Sequence, residues 1–488
     1  MRKKRKGAWR AMAKKITVIG AGPGGYVAAI RAAQLGAQVT VIEQEGVGGT
    51  CLNWGCIPSK VMKTTAEMLE RFHRAQEFGI ELHGTIRPNM KAIMARKQAV
   101  IQNQIKGVLK LFKHHRIRYI AGRGIIEGTH RAAVRLSDGT IREVPWDSLI
   151  LALGSQQLGM PSLPFDGNRI LSTNDALSLE EIPDSILILG GGVIGCEFAF
   201  IFASLGSKVT VVEALSRMLP LPWVDEDCSK VLEREMKKRK IAFMVRRTVD
   251  SIEEVGGKCR VTTGPSPFIP GLKGKDIKPL IVEVDKMLVC IGRGPTTAGV
   301  GLERLGVNLD QAGWIVANEQ METTVSDVYA IGDILGPSKV MLAHVASTEG
   351  LVAAENAMGE RHTVNYDIVP GTAFTMPEVA NVGLTEVQAR ERGYPVRSDS
   401  VLFRNLGKAH VIGEIAGQAK IVSDRENGRI LGVHLVGPHA SDLIAEAALA
   451  MQLGCTVQRL AETMHAHPTL AEIMLEASLK ALDRSLHG

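Results

Sequence analysis

Two cysteines, Cys51 and Cys56, stand five positions apart in the stretch GGTCLNWGCIPSK, residues 48–60. In an ideal helix a five-residue step rises about 7.5 Å, beyond the roughly 7 Å between Cα atoms that a disulfide tolerates. If the two bridge, the chain between them is distorted. Asn53 and Gly55 suit such a distortion, because both tolerate unusual dihedrals. Pro58 suits the first turn of a helix, where its missing N–H is not needed. That places Cys56 at a helix N-terminus, where the dipole favours a thiolate. The spacing therefore reads as a redox-active pair. A second candidate lies near the C-terminus, in HAHPTLAE, with His465, His467, Pro468 and Glu472. Imidazole is the natural base beside a thiol, since it titrates near neutrality. A carboxylate that orients its other nitrogen completes such an arrangement.

The elements that must position these groups begin with an internal repeat. Residues 16–43 and 186–213 align without a gap at an offset of 170. Each reads as a short apolar strand, a glycine turn, a helix, a glycine, and a second strand ending in glutamate. The turn glycines are Gly20, Gly22 and Gly25, then Gly190, Gly192 and Gly195. Such a turn lets the backbone approach a pyrophosphate at a helix N-terminus. Glu43 and Glu213 each follow the first glycine by 23 residues, where a carboxylate binds adenine-ribose hydroxyls. Two dinucleotide units and one dithiol imply two cofactors in series. The first unit lies just upstream of the cysteines, and a flavin fits there because it exchanges electrons with a thiol on one face and hydride on the other. The second unit then takes the nicotinamide. A carboxylate at Glu213 repels a 2′-phosphate and so favours NAD over NADP.

At 488 residues the chain is long enough for three or four domains. Hydrophobic content of 45% and charge of 22% are ordinary for a soluble globular protein. Seven scattered cysteines are no secreted disulfide framework, and one close pair in a reducing cytoplasm points to catalysis. The net charge of +7 resides in an N-terminal arm with eight Lys and Arg in its first fifteen residues; the remainder holds 50 bases against 51 acids. The arm reads as a disordered tail upstream of a start at Met12, with nucleic acid or anionic lipid as the lesser alternative. It lacks the apolar stretch of a signal peptide and the serines of a transit peptide. Residues 186–205 are apolar, but their four glycines argue against a membrane span. No metal is expected.

The remaining segments place the site further. Residues 60–113 read as amphipathic helix, broken at Pro88-Asn89. Residues 117–150 alternate as strands with a turn at Asp138-Gly139, closing on LILALGS at Gly154. A similar close, MLVCIGRGP, spans residues 287–295 and includes Gly292. The second repeat lies between these closes, so the first domain is interrupted and resumes. In YAIGDI, Asp333 follows an apolar strand and a glycine, a place for a carboxylate to meet a ribityl hydroxyl. Strand-like runs at residues 371–382, 418–423 and 430–436 precede helices from residue 441 onward. The expected domains are an arm over residues 1–14, an FAD-binding domain over 15–157, an NAD-binding domain over 158–290, a central domain over 291–361 and a C-terminal domain over 362–488.

These stretches, with VIGAGPGGY, ILGGGVIGCEF and FTMPEVANVGLTE, resemble the flavin-dependent pyridine nucleotide–disulfide oxidoreductases. The resemblance runs from Lys15 to the last helix. It implies an α/β fold: two Rossmann-like dinucleotide-binding domains, for FAD and NAD, a central domain, and an α+β C-terminal dimerisation domain. It implies a homodimer in which the histidine of one chain serves the cysteines of the other. Cys56 resembles the flavin-proximal thiol, Cys51 the interchange thiol, His467 the acid–base and Glu472 its orienting partner; His465 is left structural. Lys60 and Glu197 resemble a pair near the flavin ring. The implied cofactor contacts are Gly20, Gly22, Gly25, Glu43, Thr50, Lys60, Gly154 and Asp333 for FAD. On the NAD side they are Gly190, Gly192, Gly195, Glu197, Glu213 and Gly292. In the resembling relatives the His–Pro bond preceding Thr469 is often cis. Relatives that use NADP carry an arginine near the Glu213 position and a tyrosine near Val193, and this chain has neither. Within the family the motifs are most similar to members that oxidise protein-bound dihydrolipoamide with NAD. The implied partners are lipoyl domains and the peripheral subunit-binding region of a 2-oxoacid dehydrogenase complex, or a glycine cleavage lipoyl protein. The alternatives are an NAD(P)H-dependent reductase of another disulfide and a flavoprotein assembly subunit. Residues 265–276 depart from the pattern and read as a surface insertion.

Overall fold

A computed structural model describes residues 13–270, 272 and 278–487. Residues 1–12 of the basic arm and residues 271 and 273–276 of the expected insertion lie outside the described residues. The chain divides into two compact units, each built from three stretches of sequence.

The first unit comprises residues 1–58, 96–157 and 292–366. Its central parallel sheet runs in the order Val328–Ala330, Ser148–Leu151, Lys15–Ile19, Gln38–Glu43, Arg118–Ala121. Val328–Ala330, Ser148–Leu151 and Lys15–Ile19 are almost wholly buried, because a parallel sheet is covered on both faces. Gly20 has φ of 103°, and a Cβ there would lie 2.1 Å from the Ala152 carbonyl oxygen, so only glycine turns the chain out of the first strand. The helix Pro23–Gln34 packs closely on Ala343–Ala357: a Cβ on Gly350 would come within 2.5 Å of the Gly24 carbonyl. A three-stranded antiparallel sheet, Arg123–Gly128, Arg131–Arg135 and Ile141–Pro145, completes the unit. Lys14, read from sequence as part of the loose arm, forms an ion pair with Asp327 at 2.9 Å.

The second unit comprises residues 59–95, 158–291 and 367–488. Its parallel sheet repeats the first: Ala242–Met244, Lys208–Val212, Ser185–Leu189, Lys286–Val289, Ile170–Leu171. Gly190 repeats the turn, with φ of 107° and its missing Cβ 2.3 Å from the Cys290 carbonyl. The apolar run that raised the membrane question is the buried strand Ser185–Leu189 and the helix Val193–Leu205. No helix among the described residues is long and apolar enough to cross a membrane. A separate antiparallel sheet runs Gly371–Ala373, Glu378–Gly383, Ile430–Gly437, Gln418–Asp424, Val396–Leu402, with its own core around Val433, Ile444 and Ile473.

Two local expectations need correction. Asn53 is not a point of distortion: it lies within the helix Gly49–Trp54, and its side-chain amide donates to the Val47 and Gly49 carbonyls at 3.1 and 3.0 Å. Gly55 alone breaks the path, with φ −145° and ψ −107°. The helical stretch is interrupted well before Pro88: Cys56–His73 and Met90–His114 are joined by a short 3₁₀ turn, Ala75–Phe78, and extended chain.

Candidate functional site

The cysteine segment is fastened to the first glycine turn. The Gly48 N–H donates to the Ala21 carbonyl at 2.8 Å. Gly48 and Gly49 both have positive φ, and a Cβ on Gly49 would lie 2.7 Å from the Gly22 Cα. Cys51, half-buried, sits in Gly49–Trp54; Cys56, exposed, is the first residue of Cys56–His73. Gly55 ends one helix and lets the next begin, which brings the two cysteines close together. The helix start favours negative charge on Cys56. Burial, and then the Cys51 sulfur, raise the proton affinity of the Tyr26 hydroxyl, so Tyr26 borders this sulfur.

The two glycine turns offer equivalent cradles. The first and third glycines of each are filled by the protein itself: a Cβ on Gly25 would lie 2.0 Å from the Gly20 carbonyl oxygen, and on Gly195 1.9 Å from that of Gly190. The middle glycines differ. Gly22 meets only the Gly49 Cα at 3.9 Å, and Gly192 meets nothing within 4 Å. Both precede a helix start, with φ of −67° and −72° that any residue adopts. Space at a helix N-terminus that the protein leaves open fits a pyrophosphate. The terminal glutamates are buried and hold these turns. Glu43 accepts from the Ala21 and Glu45 N–H groups at 2.7 and 2.8 Å. Glu213 accepts from Gly191 and Leu215 at 2.5 and 2.7 Å. The residues present thus fit two dinucleotides.

Asp333 lies at the turn after Val328–Ala330, where Ser155 Oγ donates to it at 2.6 Å and Arg293 approaches at 3.7 Å. Arg293 Nε also donates to Ser155 Oγ at 2.6 Å. Burial lowers the proton affinity of Arg293, against the attraction of Asp333 and the Cys56 sulfur. Beneath the turn, Glu349 accepts from the Gly332 N–H and the Tyr366 hydroxyl, each at 2.6 Å. Sequence reading missed Ser155, Arg293, Glu349 and Tyr366. Ser155 and Arg293 directly follow Gly154 and Gly292 at the two strand closes, a signal that was available. Gly154 has φ of 72° with open space around it, and Gly292 has φ of 118°. Gly292, expected on the nicotinamide side, groups with the first unit, as do Thr50 and Asp333.

In the second unit Lys60 Nζ meets Glu197 at 2.8 Å. Glu197 is buried and also accepts from the Phe374 N–H at 3.0 Å, while Lys60 lies 4.3 Å from the centre of the Phe374 ring. His467 Nδ1 lies 2.9 Å from Glu472 Oε1, and Glu472 Oε2 accepts from the Thr469 N–H at 2.9 Å. Desolvation opposes ionisation of Glu472, but these two donors outweigh it and hold the carboxyl below its ordinary range. Because Nδ1–H donates to Glu472, Nε2 of His467 carries the lone pair, and this ring is 77% exposed. A base facing solvent, oriented from behind, is suited to a substrate or residue arriving from outside the chain. The His467–Pro468 bond is cis, as is Met376–Pro377.

Residues 14–350 match the family model for pyridine nucleotide-disulphide oxidoreductases, and residues 369–478 match the dimerisation domain of that family, which supports association of two copies. A dihydrolipoyl dehydrogenase from Chlamydia muridarum is 42% identical over 473 residues, covering 96% of this chain and 97% of the relative. One from Bacillus subtilis is 40% identical, covering 97% and 98%. The crystal structure of LpdA from Mycobacterium tuberculosis superposes with a TM-score of 0.87 at 30% identity, covering 96% of this chain and 99% of that one.

Proposed function

Because the chain belongs to the pyridine nucleotide-disulphide oxidoreductase family, whose members use FAD and NAD, we propose that it oxidises protein-bound dihydrolipoamide to lipoamide with reduction of NAD. The observation that carries this reading is the solvent-facing His467, backed by Glu472, in a chain that matches dihydrolipoyl dehydrogenases over nearly its whole length. Residues 15–157 and 291–361 form the flavin domains, 158–290 the NAD domain and 362–488 the dimerisation domain. Gly20, Gly22, Gly25, Glu43, Thr50, Gly154 and Asp333 hold FAD. Gly190, Gly192, Gly195 and Glu213 hold NAD, and Lys60, Glu197 and Gly292 border the ring side. Each active site takes Cys51 and Cys56 from one chain and His467 and Glu472 from its partner. The substrate is a lipoyl arm of a 2-oxoacid dehydrogenase complex or a glycine cleavage protein, reached in the cytoplasm.

The cycle starts from a Cys51–Cys56 disulfide. A dithiol substrate at pH 7 is only about 3% thiolate at a pKa near 8.5, so His467 Nε2 takes the proton as the sulfur attacks Cys51. The Cys51–Cys56 bond breaks, a mixed disulfide forms, and Cys56 leaves as a thiolate stabilised by its helix start. The second substrate thiol attacks the first substrate sulfur; the lipoamide disulfide closes and Cys51 leaves as a thiol, the proton passing through His467. Glu472 holds the tautomer and stabilises the imidazolium throughout. Two electrons then reside on the cysteine pair. FAD, when bound, supplies the route by which this pair passes to NAD as hydride.

His467→Gln tests the reading. Dihydrolipoamide oxidation is expected to fall by about 10²–10⁴-fold, the usual worth of a positioned base, while NADH-to-dye transfer falls far less. Equal losses in the two assays would reject the base role.

A further inference from the structure

His465 stands two residues before the proposed base, and its ring is nearly sealed, with 4% of the side chain exposed. Its Nδ1 lies 2.8 Å from the Thr463 carbonyl and its Nε2 2.9 Å from Glu446 Oε1. A carbonyl and a carboxylate both accept, so both ring nitrogens carry protons and the ring is a cation. Glu446 belongs to the helix Ala440–Gln452, whose other face packs in the core of the antiparallel sheet through Ile444, Ala447 and Ala450. The imidazolium thus ties the irregular chain after Val457–Ala461 to a packed helix. Further along, Thr469 Oγ1 donates to the Ala466 carbonyl at 2.7 Å and the Thr469 N–H to Glu472. His467 lies between these two attachments.

We propose that His465 is a positioning residue for His467: doubly protonated and bound to Glu446, it anchors the 463–469 segment and presents its charge beside the His467–Glu472 pair. The charged groups that act on it are Glu446 on one helix and Glu472 at the start of Glu472–Lys480, the carboxylate it shares with His467. Its hydrogen bond to Glu446 first, and Glu472 more weakly, favour the protonated ring. A fixed cation at this place strengthens the ionised form of Glu472, the carboxylate that orients the His467 ring. The inference rests on the reading of His467 as the acid–base.

The test uses the flavin-loaded dimer with dihydrolipoamide, and NADH-to-dye transfer as reference. His465→Gln is expected to lower kcat for dithiol oxidation about tenfold, with KM within about twofold. The low-pH limb of its kcat profile moves to higher pH, since the neighbouring cation is gone, and dye transfer stays within about twofold. Glu446→Ala should lose kcat similarly, and Glu446→Gln, which keeps an accepting oxygen, should restore it to within about threefold of the parent. An unchanged kcat with an unmoved limb in His465→Gln, or parental activity in Glu446→Ala, overturns the inference. If His465→Gln fails to dimerise, the Glu446 pair decides: rescue by Gln supports the anchor, and equal loss in both overturns it. His467→Gln runs alongside. If it retains dithiol oxidation, the reading of the base has failed; if it alone is impaired, only the role of His465 has.

Discussion

Burial pushes the Glu349 carboxyl up to about 7, against the two donors that favour its ionised form. In an unfolded chain a glutamate titrates near 4.3. The folded protein therefore binds this proton more tightly, and the stabilisation it brings is fully present at low pH and lost as pH rises from the unfolded value through about 7. Glu349→Gln, which keeps the shape and cannot ionise, removes that dependence. The stability advantage of the parent over this variant should shrink by on the order of 2–3 kcal/mol between pH 5 and pH 8, read as Tm at each pH. Parallel pH profiles would show that the carboxyl titrates normally. The same residue marks a limit of sequence reading. A glutamate in AHVASTEG looks like an exposed helix position. Only the arrival of Gly332 and Tyr366 from elsewhere in the chain makes it a buried acid.

Among the elements, the glycine turns were legible because their demand is local: a positive φ and a near-contact between residues five apart are encoded by spacing alone. A Cβ at Gly195 collides with backbone that cannot yield, so Gly195→Ala is expected to destabilise by at least the roughly 1–3 kcal/mol of core overpacking. Gly192→Ala should melt with the parent and yet bind NAD far more weakly, checked by calorimetry and by NAD titration; a matched fall in Tm would refute the open cradle. The helix bearing Cys56 was equally legible, since a glycine and a proline bracket its start. The edge strand Val396–Leu402 was not. Its sequence VRSDSVL is polar, and it is held by pairing with Gln418–Asp424 rather than by its own apolar face. The pairing of Gly24 with Gly350 was also hidden, because a close helix crossing depends on two segments more than three hundred residues apart.

Across the whole molecule, three of the most exposed apolar side chains belong to the second unit: Leu449 and Leu453, on and just after Ala440–Gln452, and Met464, which is 96% exposed and precedes His465. Patches of this kind mark contact surfaces, and the dimerisation-domain match supports a second copy as the occupant. Leu449→Asp is expected to give monomer by analytical ultracentrifugation and to abolish dithiol oxidation, because the proposed site draws His467 from one copy and the cysteines from the other; a fully active monomer would refute the shared site. The two dinucleotide units invite a different thought about inheritance. The outer glycines of each turn are guarded by the chain's own integrity, so any lesion there announces itself as a protein that fails to accumulate. The central ones, Gly22 and Gly192, have no such guardian. A variant there would pass every screen for expression and solubility and still pair with an intact copy, so damage at these two positions would surface as dominant interference rather than as simple loss.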